Sequence, residues 1–377
     1  MSAFKTPAER FLRDLIAIPS ITGYEGQMKD LLEFAFKEIG LEVCSQHVDS
    51  DRYNIIGKLG EGPIRLMLTT HMDVIPALDE SKWQTPPFKA VKDNDRIYGR
   101  GSTDAKGSLA AMMEAVQRVK ASGKKLNGSI AIAAVVEEET GTSLGSKKLI
   151  EEFKPESVIV GEPTGLDVAI THKGAIRPVI TVHGKAAHGS SPRRGVNAIS
   201  LMGKALNMLD SYGQRISKNV DPMLGRSSFE ITMIHGGERI NVIPERCNLY
   251  IDRRLVSSET IDGAFGDLKK LVNKISKRLR TNMEIELLCA YPPSKVDERE
   301  QIVKTALDVL SKNGLRRTPV GFPAGCDMWV FRSVGIPTIV FGPGSLKQAH
   351  VIGEYIDVKE LGLAVDVYEG IAYSLLC

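Results

Sequence analysis

Ser129-Ile130-Ala131-Ile132-Ala133-Ala134-Val135-Val136 runs straight into Glu137-Glu138-Glu139. The apolar run reads as a strand covered on both faces by helices. The three carboxylates at its end are expensive to place together, because their repulsion and desolvation must be offset by cations. A solvated acidic turn is the plainer alternative.

Upstream lies a helix expected over 106–120, preceded by strands over 43–47, 53–59 and 64–70. Two helices come first. One is capped by Thr6 with Pro7 at its first position and Glu9 completing a capping box. The other spans 25–39 and stops at Gly40. Downstream come a short helix over 146–153 and a strand over 157–161. Helices and strands alternating in this way argue for an α/β sandwich. After Gly174 the rhythm changes. Strands over 176–183, 229–235, 249–255 and 284–288, with helices over 197–211 and 261–279, make a βαββαβ order that resembles a ferredoxin-like unit. From about Glu300 the α/β style returns, with a helix, a strand over 338–341 and a last helix from Lys359. The expected organisation is a larger domain of residues 1–174 and 290–377, with residues 175–289 inserted; the chain crosses between them near Gly174 and near Ala290.

The 377 residues carry 49 basic and 46 acidic side chains, a net charge of +3. This balance demands neither nucleic acid nor an anionic membrane as partner. Lysines at 269, 270, 274 and 277 read as a solvated helix face. The start Met1-Ser2-Ala3-Phe4-Lys5 lacks the apolar core of a signal peptide, and no apolar run approaches the roughly 18 residues of a membrane helix. Five cysteines, odd in number and without CxxC spacing, suggest neither a disulfide framework nor a cysteine metal site. A reducing cytoplasm is the expected location.

Four clusters besides the glutamate triplet carry candidate chemistry. His71-Met72-Asp73-Val74-Ile75-Pro76 follows the strand over 64–70; the imidazole can ligate zinc and Asp73 can orient it. In Gly99-Arg100-Gly101-Ser102-Thr103-Asp104, the Asp opens a helix and is either a ligand or an N-cap. Gly161-Glu162-Pro163-Thr164 follows another strand, and Gly342-Pro343-Gly344 leads to His350. Each of these last two also reads as an ordinary loop. In open α/β sheets ligands bind at such strand ends. Together the clusters supply enough donors for two metals that share one carboxylate, the arrangement of two-metal hydrolases.

With these motifs in this order, the chain resembles the co-catalytic zinc amidohydrolases and metallopeptidases that include acetylornithine deacetylase, succinyl-diaminopimelate desuccinylase, aminoacylases and glutamate carboxypeptidase. The resemblance implies a catalytic α/β/α sandwich with an inserted ferredoxin-like dimerisation domain. It implies two divalent cations per subunit, zinc first, with cobalt or manganese as alternatives. His71 and Glu162 would hold one metal, Glu139 and His350 the other, and Asp104 would bridge them. Asp73 would orient His71. Aligning the triplet on Gly141 makes Glu138 the general base, with Glu137 in place of the family's usual Asp. Gly184-Lys185-Ala186-Ala187-His188 resembles the dimerisation segment, in which His188 reaches the partner subunit's site. Asn241 and Arg254 resemble residues that hold the substrate's carboxylate, and Gly325 a substrate-loop glycine. His47, His172, His183 and His235 match no ligand position and are expected to be structural.

The implied reaction is hydrolysis of the amide bond of an N-acyl amino acid. Glu162 in its GEPT segment, His172-Lys173-Gly174 and the run to His350 are closest to acetylornithine deacetylase. Cys326-Asp327-Met328 stands where those enzymes carry Thr-Glu-Ala, and partly matches the Ser/Thr-Asp pair of desuccinylases. A dipeptidase or carboxypeptidase of the same family is the alternative. A non-catalytic binding protein that kept the fold is a distant one, because all five ligands and Glu138 are present.

Overall fold

The computed structural model describes residues 3–377; Met1 and Ser2, the head of the polar start, lie outside the described residues. The chain forms two compact units. One takes the chain through Thr171, then Lys295–Phe322 and Cys326–Cys377; the other takes His172–Ser294 and Pro323–Gly325.

The larger unit is built on a mixed nine-stranded sheet. Its centre is four neighbouring parallel strands, in the order Ser129–Val135, Ile64–His71, Val158–Val160 and Thr338–Val340. Arg52–Gly60 joins antiparallel beside Ser129–Val135, and Glu42–Asp49 beside that. Every residue of Ser129–Val135 is fully buried, the environment its unbroken apolar run calls for. Helix Lys106–Ala121 packs on Val358–Leu376, Pro7–Ile16 and strand Ile64–His71, while Met28–Ile39 packs on the antiparallel end. This is the α/β/α sandwich expected. At the first helix Thr6 Oγ1 accepts from the Glu9 N–H at 3.2 Å. The capping box is not completed as expected, because the Glu9 carboxylate accepts instead from the Lys5 N–H and, at 2.6 Å, from the buried Lys92 ammonium. A buried cation competes for a carboxylate better than a backbone amide does.

The smaller unit has a four-stranded sheet in the order Ser228–Gly236, Arg246–Leu255, Gly174–His183, Asn282–Tyr291, with all neighbours antiparallel. Helices Ala198–Ile216 and Ile261–Leu279 cover it, with Met202, Leu209, Leu268 and Val272 meeting Ile180, Val182 and Leu249. This is the ferredoxin-like arrangement. Ile261–Leu279 buries Ala264, Leu268, Val272 and Ile275 and leaves Lys269, Lys270, Lys274 and Lys277 exposed. The unit's edges fall a few residues outside 175–289, because the strand pairing continues to Tyr291 opposite Ala175. Pro323–Gly325 also belongs to it. A Cβ on Gly325 would lie 2.2 Å from the Tyr291 ring, so only glycine lets this turn lie against the aromatic face.

Candidate metal centre

The carboxyl ends of the four parallel strands converge. Ile64–His71 ends on His71, Ser129–Val135 leads to the glutamate triplet, Val158–Val160 to Glu162, and Thr338–Val340 to the loop carrying His350. Asp104 arrives from the loop before helix Lys106–Ala121. The position preceding that helix is Ala105, so the N-cap alternative for Asp104 falls. Its carboxylate is divided between two histidines: Oδ1 lies 3.2 Å from His71 Nε2, and Oδ2 lies 3.3 Å from His350 Nε2. Glu162 Oε1 is 3.9 Å from the same His71 nitrogen, and Glu139 Oε2 is 2.9 Å from His350 Nε2. Ligating atoms of His71, Asp104 and Glu139 all lie within 4.8 Å of one another, as do those of His71, Glu138 and Glu162. Glu138 therefore stands beside the pair formed by His71 and Glu162, close enough to act as base or as donor.

Glu137 turns away. Its backbone is left-handed, with φ 58°, a conformation a non-glycine residue adopts at a cost. Its carboxylate is held by Arg52 Nη1 at 2.5 Å and Thr142 Oγ1 at 2.8 Å. Asp73 braces the next two residues: its Oδ1 accepts from the Glu138 N–H at 3.1 Å and its Oδ2 from the Glu139 N–H at 3.2 Å. Toward His71 it acts mainly through its backbone. His71 Nδ1 lies 2.9 Å from the Asp73 carbonyl and 3.6 Å from the carboxylate. A nitrogen facing a carbonyl must carry a proton. Without a metal Nε2 carries one too: burial opposes the charge, but Asp104, Asp73 and Glu162 outweigh it and hold His71 well above its ordinary value, so a metal would take the place of the Nε2 proton.

Burial holds the Glu138 and Glu162 carboxyls well above the usual range, partly offset by His71 and reinforced by each other's neighbourhood of acids. Burial and Asp104 push Glu139 up. Burial works against the charge on Asp104, but His350 and His71 outweigh it and hold Asp104 below its ordinary value. Ion pairs to Asp104 and Glu139 raise His350 to about 10. Glu139 Oε1 and Glu162 Oε1 are buried and have no hydrogen-bond partner among the described residues. Acceptors left bare in an interior are costly, and here they lie beside an imidazole whose Nε2 proton a metal can replace. Divalent cations answer both bare acceptors, and imidazole with carboxylate donors suits zinc. The residues present fit a metal centre.

Two groups here were given no site role in the reading of the sequence. Asp327 is buried, accepts from Ser146 Oγ at 2.5 Å, and sits close enough to raise Glu138 and Glu162. Lys106 is fully buried, donating to the Leu15 and Ile18 carbonyls; burial lowers it to about 7. The visible signal for both was proximity to a motif, Asp104 for one and Gly325 for the other.

The remaining expected site residues lie in the smaller unit. His188 is exposed, with Nδ1 2.7 Å from Ser190 Oγ, and it pairs with Val242 next to Asn241. Arg254 donates to Asp252 at 2.7 Å and to Tyr291 Oη at 2.9 Å, so Arg254 and Gly325 both lie against the hydroxyl end of Tyr291. The other four histidines have local partners: His47 the Ser50 carbonyl, His172 the Lys173 carbonyl, His183 Glu284, and His235 the Tyr250 ring.

A sheet of this order, with such donors at the ends of its parallel strands, is that of a metal-dependent hydrolase. The chain belongs to peptidase family M20/M25/M40, whose model matches residues 67–374. It is 30% identical over 368 residues to acetylornithine deacetylase of Pectobacterium carotovorum subsp. carotovorum (strain PC1), covering 94% of each chain. Its fold matches a tripeptidase from Staphylococcus aureus subsp. aureus Mu50 with TM-score 0.81 and 25% identity over 97% of both chains. It also matches a dinuclear metal-binding M20 peptidase of Bacillus subtilis with TM-score 0.72 and 15% identity, covering 98% and 97%. No helix among the described residues is long and apolar enough to cross a membrane.

Proposed function

We propose that the protein is a cytoplasmic, two-cation amidohydrolase that removes the acyl group of a small N-acyl amino acid. The observation that carries the reading is the split of the Asp104 carboxylate between His71 and His350, each with its own glutamate alongside. His71 and Glu162 would hold one cation, Glu139 and His350 the other, with Asp104 shared. Zinc is the first choice, with cobalt or manganese as substitutes. When bound, the cations lower the pKa of the attacking water and polarise the scissile carbonyl. Glu138 takes the water's proton and passes it to the leaving amine. Beside cations its carboxylate is ionised at neutral pH, reversing the effect of burial. Asp73 holds the backbone of Glu138 and Glu139 and so sets where both carboxylates hang. Arg254, steadied by Tyr291, pairs with the substrate carboxylate together with Asn241. His188 supports the oxyanion from a partner subunit.

The deacetylase relative, with 30% identity across nearly the whole chain, supports an N-acyl amino acid. A peptidase is the second reading; the tripeptidase of like fold supports it. Within the deacylase reading, Cys326-Asp327-Met328 in place of Thr-Glu-Ala favours an N-succinyl over an N-acetyl substrate. Zinc-reconstituted enzyme assayed on N-acetyl amino acids, N-succinyl amino acids and dipeptides decides between them. Turnover of dipeptides alone would overturn the deacylase reading. Glu138→Gln is expected to keep both metals while kcat falls at least about a hundredfold. Glu139→Gln is expected to weaken one metal. The reverse outcome would exchange the two roles.

A further inference from the structure

The Gly99–Asp104 loop and the loop after His350 are joined through one carboxylate. Glu354, four residues past His350, is fully buried, and each of its oxygens accepts twice. Oε2 takes Arg100 Nη1 at 2.6 Å and the Gly101 N–H at 3.0 Å. Oε1 takes the Thr103 N–H at 2.9 Å and the Asp104 N–H at 3.1 Å. The neighbouring backbone repeats the link: the Gly99 N–H donates to the Glu354 carbonyl at 3.0 Å, and Thr103 Oγ1 donates to the Tyr355 carbonyl at 2.6 Å. The loop can curl around a single acid because Gly101 is left-handed, with φ +81°, and a Cβ there would lie 2.6 Å from Val74. Arg100 is as buried as Glu354 and supplies the counter-charge.

We propose that Glu354 is a positioning residue of the metal centre. It fixes the backbone nitrogen of Asp104, and hence the place from which the shared carboxylate hangs, and it ties that place to the loop carrying His350. This rests on the two-cation reading above. Loop closure alone needs an acceptor or two. Four donors on one buried carboxylate, one of them the amide of the shared ligand, hold Asp104 to the fraction of an ångström that a bridging geometry demands. The other ligands, His71 and Glu162, come from strand ends that Glu354 does not touch, so their cation should feel its loss less than the cation held through Glu139 and His350.

Glu354→Gln keeps the size but sets an NH2 against two of the four donors; Glu354→Asp keeps the charge and withdraws it. Both are made in the full chain. Each is checked for folding by circular dichroism, then titrated with zinc by calorimetry beside wild type. We expect wild type to take up two zinc ions. In each folded variant one of the two should bind at least about tenfold more weakly, the usual cost of losing a group that orients a metal ligand. At limiting zinc kcat should fall with KM unchanged, and excess zinc should restore it. Folded variants with both wild-type zinc affinities, or a kcat loss that excess zinc does not restore, would overturn the role of Glu354. Glu354→Asp, with its charge retained opposite Arg100, keeps the test open if Glu354→Gln does not fold. Wild type that takes up fewer than two zinc ions would overturn the two-cation reading itself, and the positioning role with it.

Discussion

Glu25 is a buried carboxyl with one oxygen committed and one bare. Its Oε1 accepts from the Glu137 N–H at 3.2 Å, and its Oε2 has no hydrogen-bond partner among the described residues. Burial, with Asp73 nearby, raises it to about 7 against help from Arg52. The folded state therefore holds a proton between about pH 4.5 and 7 that the unfolded state has released, and stability falls as pH rises through that window. The full shift corresponds to at most about 3 kcal/mol. Glu25→Gln keeps the acceptor for Glu137 and removes the titration. Urea unfolding of wild type and variant between pH 4.5 and 7.5 should show the wild-type decline reduced in the variant; parallel curves would refute the assignment. Glu25 and Glu354 were illegible beforehand, because a charged residue destined for the interior looks in sequence like any surface charge. His71, Asp104, Glu162 and His350 were legible through their places after strands or in glycine-rich turns, and through family spacing.

Whole elements were read in proportion to their length and pattern. The strand Ser129–Val135 and the helix Ile261–Leu279 announce themselves, one by an unbroken apolar run and the other by apolar residues three or four apart. The three-residue strands Val91–Asp93, Arg96–Tyr98 and Tyr355–Asp357 were missed. Three residues are too few to show a period; Val91–Asp93 and Arg96–Tyr98 pair with each other across a short turn, and Tyr355–Asp357 joins them from more than 250 positions away in the chain. The turn Pro323–Gly325 was assigned with its sequence neighbours, because nothing local tells that it packs on Tyr291. That contact makes a prediction. Gly325→Ala drives a methyl into the Tyr291 ring, an overpacking expected to cost about 1–3 kcal/mol. It should also shift the hydroxyl that steadies Arg254. We expect a lower urea midpoint and a raised KM for carboxylate-bearing substrates, with kcat much less affected. Unchanged KM with lowered stability would separate Tyr291 from substrate binding.

Among the described residues the small sheet ends in two strands with a neighbour on one side only, Ser228–Gly236 and Asn282–Tyr291. Ser228–Gly236 pairs with Arg246–Leu255 on one side, and among the described residues no strand pairs with its other side. Natural edge strands are usually short, charged or capped. This one is nine residues long and exposes Met233 and Ile234 at 50% and 48%, with Ile199 and Val242 also exposed nearby in the chain's smaller unit. Two copies pairing edge to edge would cover it and form a closed two-fold dimer. Sedimentation at micromolar concentration should give a dimer, and Ile234→Lys should shift it to monomer. His188 supplies a sharper test. If it acts across the dimer, His188→Ala and Glu138→Gln are each inactive alone but complement when mixed. In a hybrid, one site then keeps Glu138 from its own chain and His188 from the other, while the second site carries both defects. Random exchange makes half the dimers hybrid, so roughly a quarter of wild-type activity should return. Failure to recover activity while exchange is seen by mass spectrometry would place His188 within its own subunit or outside catalysis. Sedimentation of wild type as monomer alone would remove both the dimer and any role for His188 in trans.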